Sequence, residues 1–336
     1  MMSAKSSYSI VSLFSGCGGL DLGFKGGFKF LGKTYSKLNF NVTWANDFNK
    51  DACLTFQKYF GNHIVCGDIT KILNGVKQNS LFDKPLPENV DIVLGGFPCQ
   101  DFSHAGKRRG FTSKRGVLYR SMIEVIKRTN PYIFVAENVK GLLTIDNGEA
   151  IRTIIKDFEA LGYNVVPNLY LAADYGVPQN RERVILVGTR KDVLPPFEHP
   201  KPVLNKNTWI SVEKTISDLV GKKEGTFPNH YWSKAIKNNG QGNNKIDRNK
   251  PSPTMRAEHH GNIEWLWNGK RRLSAREAAR IQSFPDDFIF YPSTSSAYKQ
   301  IGNAVPPVLG WYVAKAIQAF LDKKLQRKLE YDLCLC

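Results

Sequence analysis

The chain has 336 residues, enough for one large domain or two of ordinary size, and its 42% hydrophobic content is that of a globular protein. No apolar run approaches the ~18 residues of a spanning helix, which argues against an integral membrane protein. Lys and Arg number 47 against 30 Asp and Glu, and the formal net charge of +17 points to a polyanionic partner, most simply nucleic acid.

Residues 1–8 contain no apolar segment of the kind that directs secretion, so a cytoplasmic protein with reduced thiols is expected. The six cysteines (Cys17, Cys53, Cys66, Cys99, Cys334 and Cys336) show no metal-ligand spacing, and no metal is expected. Residues 9–14 read as a first strand. A glycine-rich turn, GCGG at 16–19, follows and leads into a helix, the general nucleotide-binding opening, in which helix-terminal amides face an anionic group. A tight turn without a ligand is the alternative. A second strand, 41–45, runs into Asn46 and Asp47, where a carboxylate can hold ribose hydroxyls, and Phe48 can stack on a purine. A third, 64–66, leads to Asp68 and Ile69: an acceptor for an exocyclic amino group and a cover for the other ring face. Taken singly, each acid is more often a helix cap or turn residue. In series at successive strand ends, they fit a bound adenosine.

The stretch GGFPCQDFS at 95–103 organises the rest. The apolar run 90–94 reads as a buried strand, and Cys99 falls just past its carboxyl end, where open α/β sheets carry their chemistry. A small buried hydrophobe is the alternative for Cys99. The basic segment 101–120, with Lys107, Arg108, Arg109, Lys114, Arg115 and Arg120 against Asp101, suits closure over a polyanion. Helical spacing follows from 117 to 127. A buried strand, 132–136, then ends at Glu137, where a carboxyl near Cys99 can share a proton with a ring nitrogen. A helix at 151–161 and strands at 163–171 and 184–188 come next. Arg181 and Arg183, two apart on extended chain, point to one side and are suited to a phosphate or carbonyl oxygen.

From 190 the texture changes. Prolines, lysines, asparagines and glycines dominate to about 268, with short candidate helices near 209–220 and 230–237, and Arg256, His259, His260 and Asn262 able to read base edges. Ser274 and Glu277 form a capping box opening another helix, and a last helix is expected over 307–325. The fold expected is α/β, a doubly wound, mostly parallel sheet: a catalytic and cofactor-binding domain over 1–189, a second, smaller domain over 190–268, and a return to the first over 269–336.

FSGCGG (14–19), GGFPCQ (95–100), ENV (137–139), QNRER (179–183) and GNAV (302–305) stand in an order that resembles the DNA (cytosine-5)-methyltransferases, specifically the compact bacterial enzymes of restriction–modification systems. The resemblance covers about 9–190 and 270–320. It implies S-adenosylmethionine as cofactor, with Phe14, Ser15, Gly16, Gly18, Gly19, Asp47, Phe48, Asp68, Ile69, Pro98, Leu118, Asn303 and Ala304 around it. At position 47 the family usually has glutamate, and aspartate shortens the reach.

The resemblance further implies Cys99 as nucleophile at C6 of a flipped-out cytosine, Glu137 at N3 and the amino group, and Arg181 and Arg183 at O2 or adjoining phosphates. Ser103, Lys107, Arg108, Arg109 and Arg256 would contact double-stranded DNA, and residues 190–268 would read its sequence. A companion restriction endonuclease without a stable complex, and a monomer, are expected. The competing readings are a transfer-RNA cytosine methyltransferase on the same core, a nicotinamide dehydrogenase, which leaves Cys99 and the arginines unexplained, and a catalytically idle DNA-binding protein.

Overall fold

The computed structural model describes residues 7–77, 84–97, 117–236, 242–257 and 263–334. Along them run strands β1 (Tyr8–Leu13), β2 (Phe28–Phe30), β3 (Lys33–Tyr35), β4 (Phe40–Asp47), β5 (Ile64–Cys66), β6 (Ile92–Gly95), β7 (Ile133–Val139), β8 (Tyr163–Leu171) and β9 (Glu182–Arg190). The helices are α1 (Gly19–Lys25), α2 (Lys50–Phe60), α3 (Ile69–Leu73), α4 (Val117–Thr129), α5 (Glu149–Glu159), α6 (Val212–Ile216), α7 (Ala275–Ile281), α8 (Thr294–Asn303) and α9 (Pro307–Cys334).

Seven strands form one sheet in the order β5-β4-β1-β6-β7-β9-β8. It is parallel from β5 to β7, and β9 runs antiparallel to both its neighbours. The chain winds outward from β1 to β4 and β5, then crosses back to β6 on the other side of β1. The strand order therefore reverses between β1 and β6, whose ends lie side by side, Leu13 opposite Gly95. In an open sheet that reversal leaves a crevice beyond the carboxyl ends, because the connecting segments depart in opposite directions.

Side-chain alternation along β1 assigns the two cores. Ile10 joins Leu22 and Phe24 of α1 and Val313 and Ile317 of α9 on one face. Val11 and Leu13 join Met122 and Ile126 of α4 and Ile154 and Phe158 of α5 on the other. α1 crosses α9 closely: a Cβ on Gly23 would come within 2.6 Å of the Gly310 carbonyl carbon. That contact fixes the height of the turn preceding α1.

All seven strands expected for the sheet form, and β7 continues to Val139, so Glu137 lies within a strand rather than beyond one. The capping box is present in both directions, Ser274 and Glu277 each accepting the other's backbone N–H. Three features differ from expectation. The hairpin of β2 and β3 turns at Leu31 and Gly32, with φ of 46° and 76°, without the Asn-Gly signal that usually marks such a turn. Residues 294–303 form a helix of their own, α8, with the Ser293 side chain accepting the Ser296 N–H. Residues 230–236 are not helical, because Glu224 accepts the Trp232 N–H at 3.1 Å and Trp232 bridges to Ser274.

Among the described residues, 191–274 contribute no strand to the sheet. Instead Leu194, Phe197, Val212, Ile216, Ile246, Met255, Ile263 and Leu266 join the core that also holds α7, α8 and α9. No helix of the described residues is long and apolar enough to cross a membrane.

Candidate active site

The turn after β1 is shaped by residues in unusual backbone states. Phe14 has φ of 53°, left-handed for a bulky residue, a conformation that persists only where its surroundings enforce it. Ser15 Oγ donates to the Ser12 carbonyl at 2.9 Å. Gly16 faces open space. Gly18 has φ of 91°, and a Cβ there would stand 2.3 Å from the Phe60 ring. At Gly19 it would stand 2.4 Å from the Val305 carbonyl oxygen and 3.0 Å from the Ala304 Cβ. The turn is thus clamped from below by α2 and from the side by the chain that follows Asn303, the last residue of α8.

Asp47 closes the next strand end. Its carboxylate accepts the Gly16 N–H and the Asn49 N–H, each at 2.8 Å, tying the glycine turn to β4. Burial pushes its pKa up, while the N–H groups of Asn49, Gly16 and Phe48 pull it down. Phe48 beside it is 73% exposed. Asp68 lies exposed at the end of β5, capping α3 through the Thr70 N–H at 2.9 Å, and Ile69 is buried behind it. Leu118, on the first turn of α4, is half-buried against the core of the other face. An exposed aromatic ring next to a carboxylate that is tied to a turn with room at Gly16 can hold a flat heterocycle attached to a hydroxylated sugar.

The second half of the site rises from β6, β7 and β9. Gly95 pairs with Ala136, and the chain continues as Gly96 and Phe97. The Glu137 carboxylate lies directly over Gly96: a Cβ there would be 3.0 Å from Oε2. Asn138 Nδ2 donates to the Phe97 carbonyl at 2.9 Å, which pins the approach to position 98. Arg183 Nε pairs with Glu137 Oε1 at 2.8 Å, both side chains largely buried. Burial pulls the Arg183 pKa down, and the Glu137 carboxylate holds it up. Arg181 lies deeper, 1% exposed, with its terminal nitrogens on the carbonyls of Met255 at 2.8 Å and Gly302 at 2.7 Å and its Nε unpartnered. The two arginines therefore divide: Arg183 meets Glu137, whereas Arg181 grips backbone.

Pro98, Cys99, Ser103, Lys107, Arg108 and Arg109 lie outside the described residues, as do His259, His260 and Asn262. The backbone of Arg256 abuts Gly302, where a Cβ would come within 2.3 Å of the Arg256 carbonyl. Among the described residues no group of His, Cys, Asp and Glu is arranged to hold a metal ion.

With this geometry in place, one family model, C-5 cytosine-specific DNA methylase, matches the chain over residues 8–319. The chain belongs to this family. It is 39% identical to the type II methyltransferase M.NgoFVII of Neisseria gonorrhoeae, over 92% of this chain and 86% of that protein. It is 36% identical to M.FnuDI of Fusobacterium nucleatum, over 96% and 97%. The fold is also that of the S. pombe Dnmt2 methyltransferase crystal structure, with a TM-score of 0.66, 14% identity and coverage of 93% of this chain and 99% of that one. The activity of this C-5 cytosine methylase is methyl transfer to C5 of cytosine in DNA.

Sequence reasoning assigned no role to several residues that build this methylase. Asn138 was visible only as part of a motif. Arg272, away from the site, is buried and donates to the carbonyls of Ala235, Gly242, Ile263 and Ile236, tying together the stretch before α7. Nothing in composition marks a buried arginine, because its partners are backbone groups distant in sequence.

Proposed function

We propose that this methylase acts on a cytosine flipped out of duplex DNA, through a covalent bond from Cys99, with S-adenosylmethionine as methyl donor. The crevice residues fit the cofactor: Phe48 for the adenine face, Asp47 for ribose hydroxyls, Asp68 for the adenine amino group, and Gly16 for close approach of the methionine portion. Each Asp47 oxygen already takes one backbone N–H and has a lone pair left for a hydroxyl. Phe14, Ser15, Gly18, Gly19, Ile69, Pro98, Leu118, Asn303 and Ala304 would complete the pocket.

Cytosine C5 is a poor nucleophile. Addition of the Cys99 thiolate at C6 turns C5 into a carbanion-like centre, moving charge onto N3 and O2. Glu137 lies at N3 and the amino group, and Arg183 lies toward O2, where it stabilises the developing charge. Arg181 holds the carbonyls of Met255 and Gly302 together behind the site and is too deeply buried to touch the base itself. S-adenosylmethionine, when bound, supplies an electrophilic methyl group for C5. Transfer of the C5 proton to solvent then lets its electron pair reform the C5–C6 double bond, breaking the C6–S bond and releasing the Cys99 thiolate. Ser103, Lys107, Arg108, Arg109 and Arg256 contact phosphates, and 190–268 act as a target-recognition unit set into the catalytic unit of 1–189 and 269–336. By likeness to the type II relatives, the modification protects host DNA from a companion endonuclease.

The observation that carries this reading is the Glu137 carboxylate lying on Gly96, three residues before Cys99, and paired to Arg183. A duplex pool with 5-fluorocytosine at the modified position tests it, since fluorine at C5 blocks the expulsion step. Wild-type protein should remain joined to DNA in denaturing gels and Cys99→Ser should not; a joined species in Cys99→Ser would remove Cys99 from the mechanism.

A further inference from the structure

A buried polar chain joins the stretch before α7 to the cofactor turn. The Met255 N–H donates to Gln179 Oε1 at 2.9 Å. Gln179 Nε2 donates in turn to Gln282 Oε1 and, at 3.3 Å, to the Ile281 carbonyl. Gln282 Nε2 donates to the Ala304 carbonyl at 2.6 Å. Both glutamines are fully buried. A second link runs in parallel, since Arg181 grips the carbonyls of Met255 and Gly302 together. A third is steric: Gly302 has no room for a Cβ because the backbone of Arg256 and Ala257 lies 2.3 Å from where it would stand. At the far end, Ala304 and Val305 press on Gly19 of the glycine turn.

Two amides in series have a direction. Each donates with its nitrogen and accepts with its oxygen, so neither can turn without leaving a buried group unsatisfied. Segments 255–256, 281–282 and 302–304 are therefore held in one arrangement, and displacing one strains the others. We infer that Gln179 and Gln282 are positioning residues that couple DNA engagement at the Arg256 segment to cofactor binding at the glycine turn. This rests on the reading of those two places given above. By linkage, DNA must then tighten cofactor binding by the factor with which cofactor tightens DNA binding.

The test is the dissociation constant of S-adenosylhomocysteine, measured by calorimetry with and without saturating short fragments of sheared genomic DNA lacking the modification. The ratio of the two constants is the readout, because a merely structural loss would move both together. Wild type should show a ratio of at least about fivefold. Both Gln282→Met and Gln179→Met break the bond between the two amides, the first also losing Ala304 and the second Met255; either one that folds suffices, and each should bring the ratio below about twofold. Ile281→Val, a methyl-sized cavity in the same helix with the amides intact, should keep the wild-type ratio. A wild-type ratio of one, glutamine variants that keep the ratio, or an Ile281→Val that loses it would each overturn the coupling. Wild type that binds no S-adenosylhomocysteine in either condition would overturn the cofactor reading, and this inference with it.

Discussion

The sheet half of the molecule and the stretch from 191 to 274 are held together by different physics. In the sheet half, strands alternate, helices cover both faces, and polar side chains are spent on the crevice: Asp47 on the glycine turn, Asn138 on Phe97, Glu137 on Arg183. In the other half regular structure is sparse, and long side chains take over the satisfaction of backbone groups. Arg272 serves four carbonyls of that stretch, and Arg276, equally buried in α7, reaches back to that of Pro228. A region built on ladders tolerates a changed side chain wherever the periodicity survives. A region built on single guanidiniums does not, since each removal strands several buried acceptors at once.

The sharpest way to break that contrast is to hit one residue in each half. Glu137→Gln keeps the shape of a strand residue but loses the acid; methyl transfer should fall about 10²–10³-fold with circular dichroism unchanged. A variant within threefold of wild type would remove Glu137 from the chemistry. Arg272→Met should do the opposite, destabilising by about 3–5 kcal/mol in denaturant and exposing the chain at Ala235, Gly242 and Ile263 to protease before the sheet yields. Simultaneous cleavage throughout the chain would show that the two halves do not differ in this way.

Smaller effects sharpen the picture inside the sheet half. Phe48→Ala should leave stability within about 0.5 kcal/mol, because the ring is 73% exposed, yet weaken S-adenosylhomocysteine about tenfold in calorimetry. Unchanged affinity would place the heterocycle elsewhere. Asp21 on α1 is buried without a well-formed hydrogen bond to either oxygen, and burial pushes its pKa up to about 7 against the weaker pull of the Ser12 hydroxyl and its own backbone N–H. An acid whose pKa rises on folding weakens the fold as pH climbs from the unfolded pKa of about 4 through the folded one. Asp21→Asn should therefore melt a few degrees above wild type at pH 8, with the gap shrinking toward pH 5. A gap that widens on acidification would contradict an unpaired carboxylate there.

The legibility of the chain follows the same division. The strands, the glycine turn, the strand-end acids and the capping box at Ser274 could be read in the sequence, because each is a local pattern: period two, positive φ, an oxygen three residues before an amide. The β2–β3 hairpin escaped because Leu-Gly is a weak turn signal, and over the described residues 230–236 the expected helix gave way to a hydrogen bond from Trp232 to Glu224.

Sequence by itself determined the α/β winding, the motif order and the residue types that the chemistry needs. Tertiary structure alone decided that Arg183 pairs with Glu137 while Arg181 turns to Met255 and Gly302, and that two glutamines a hundred residues apart meet in the core. The reason is physical. Backbone periodicity is written in neighbours along the chain, whereas the partner of a buried polar side chain is whichever distant acceptor the fold brings within hydrogen-bonding reach.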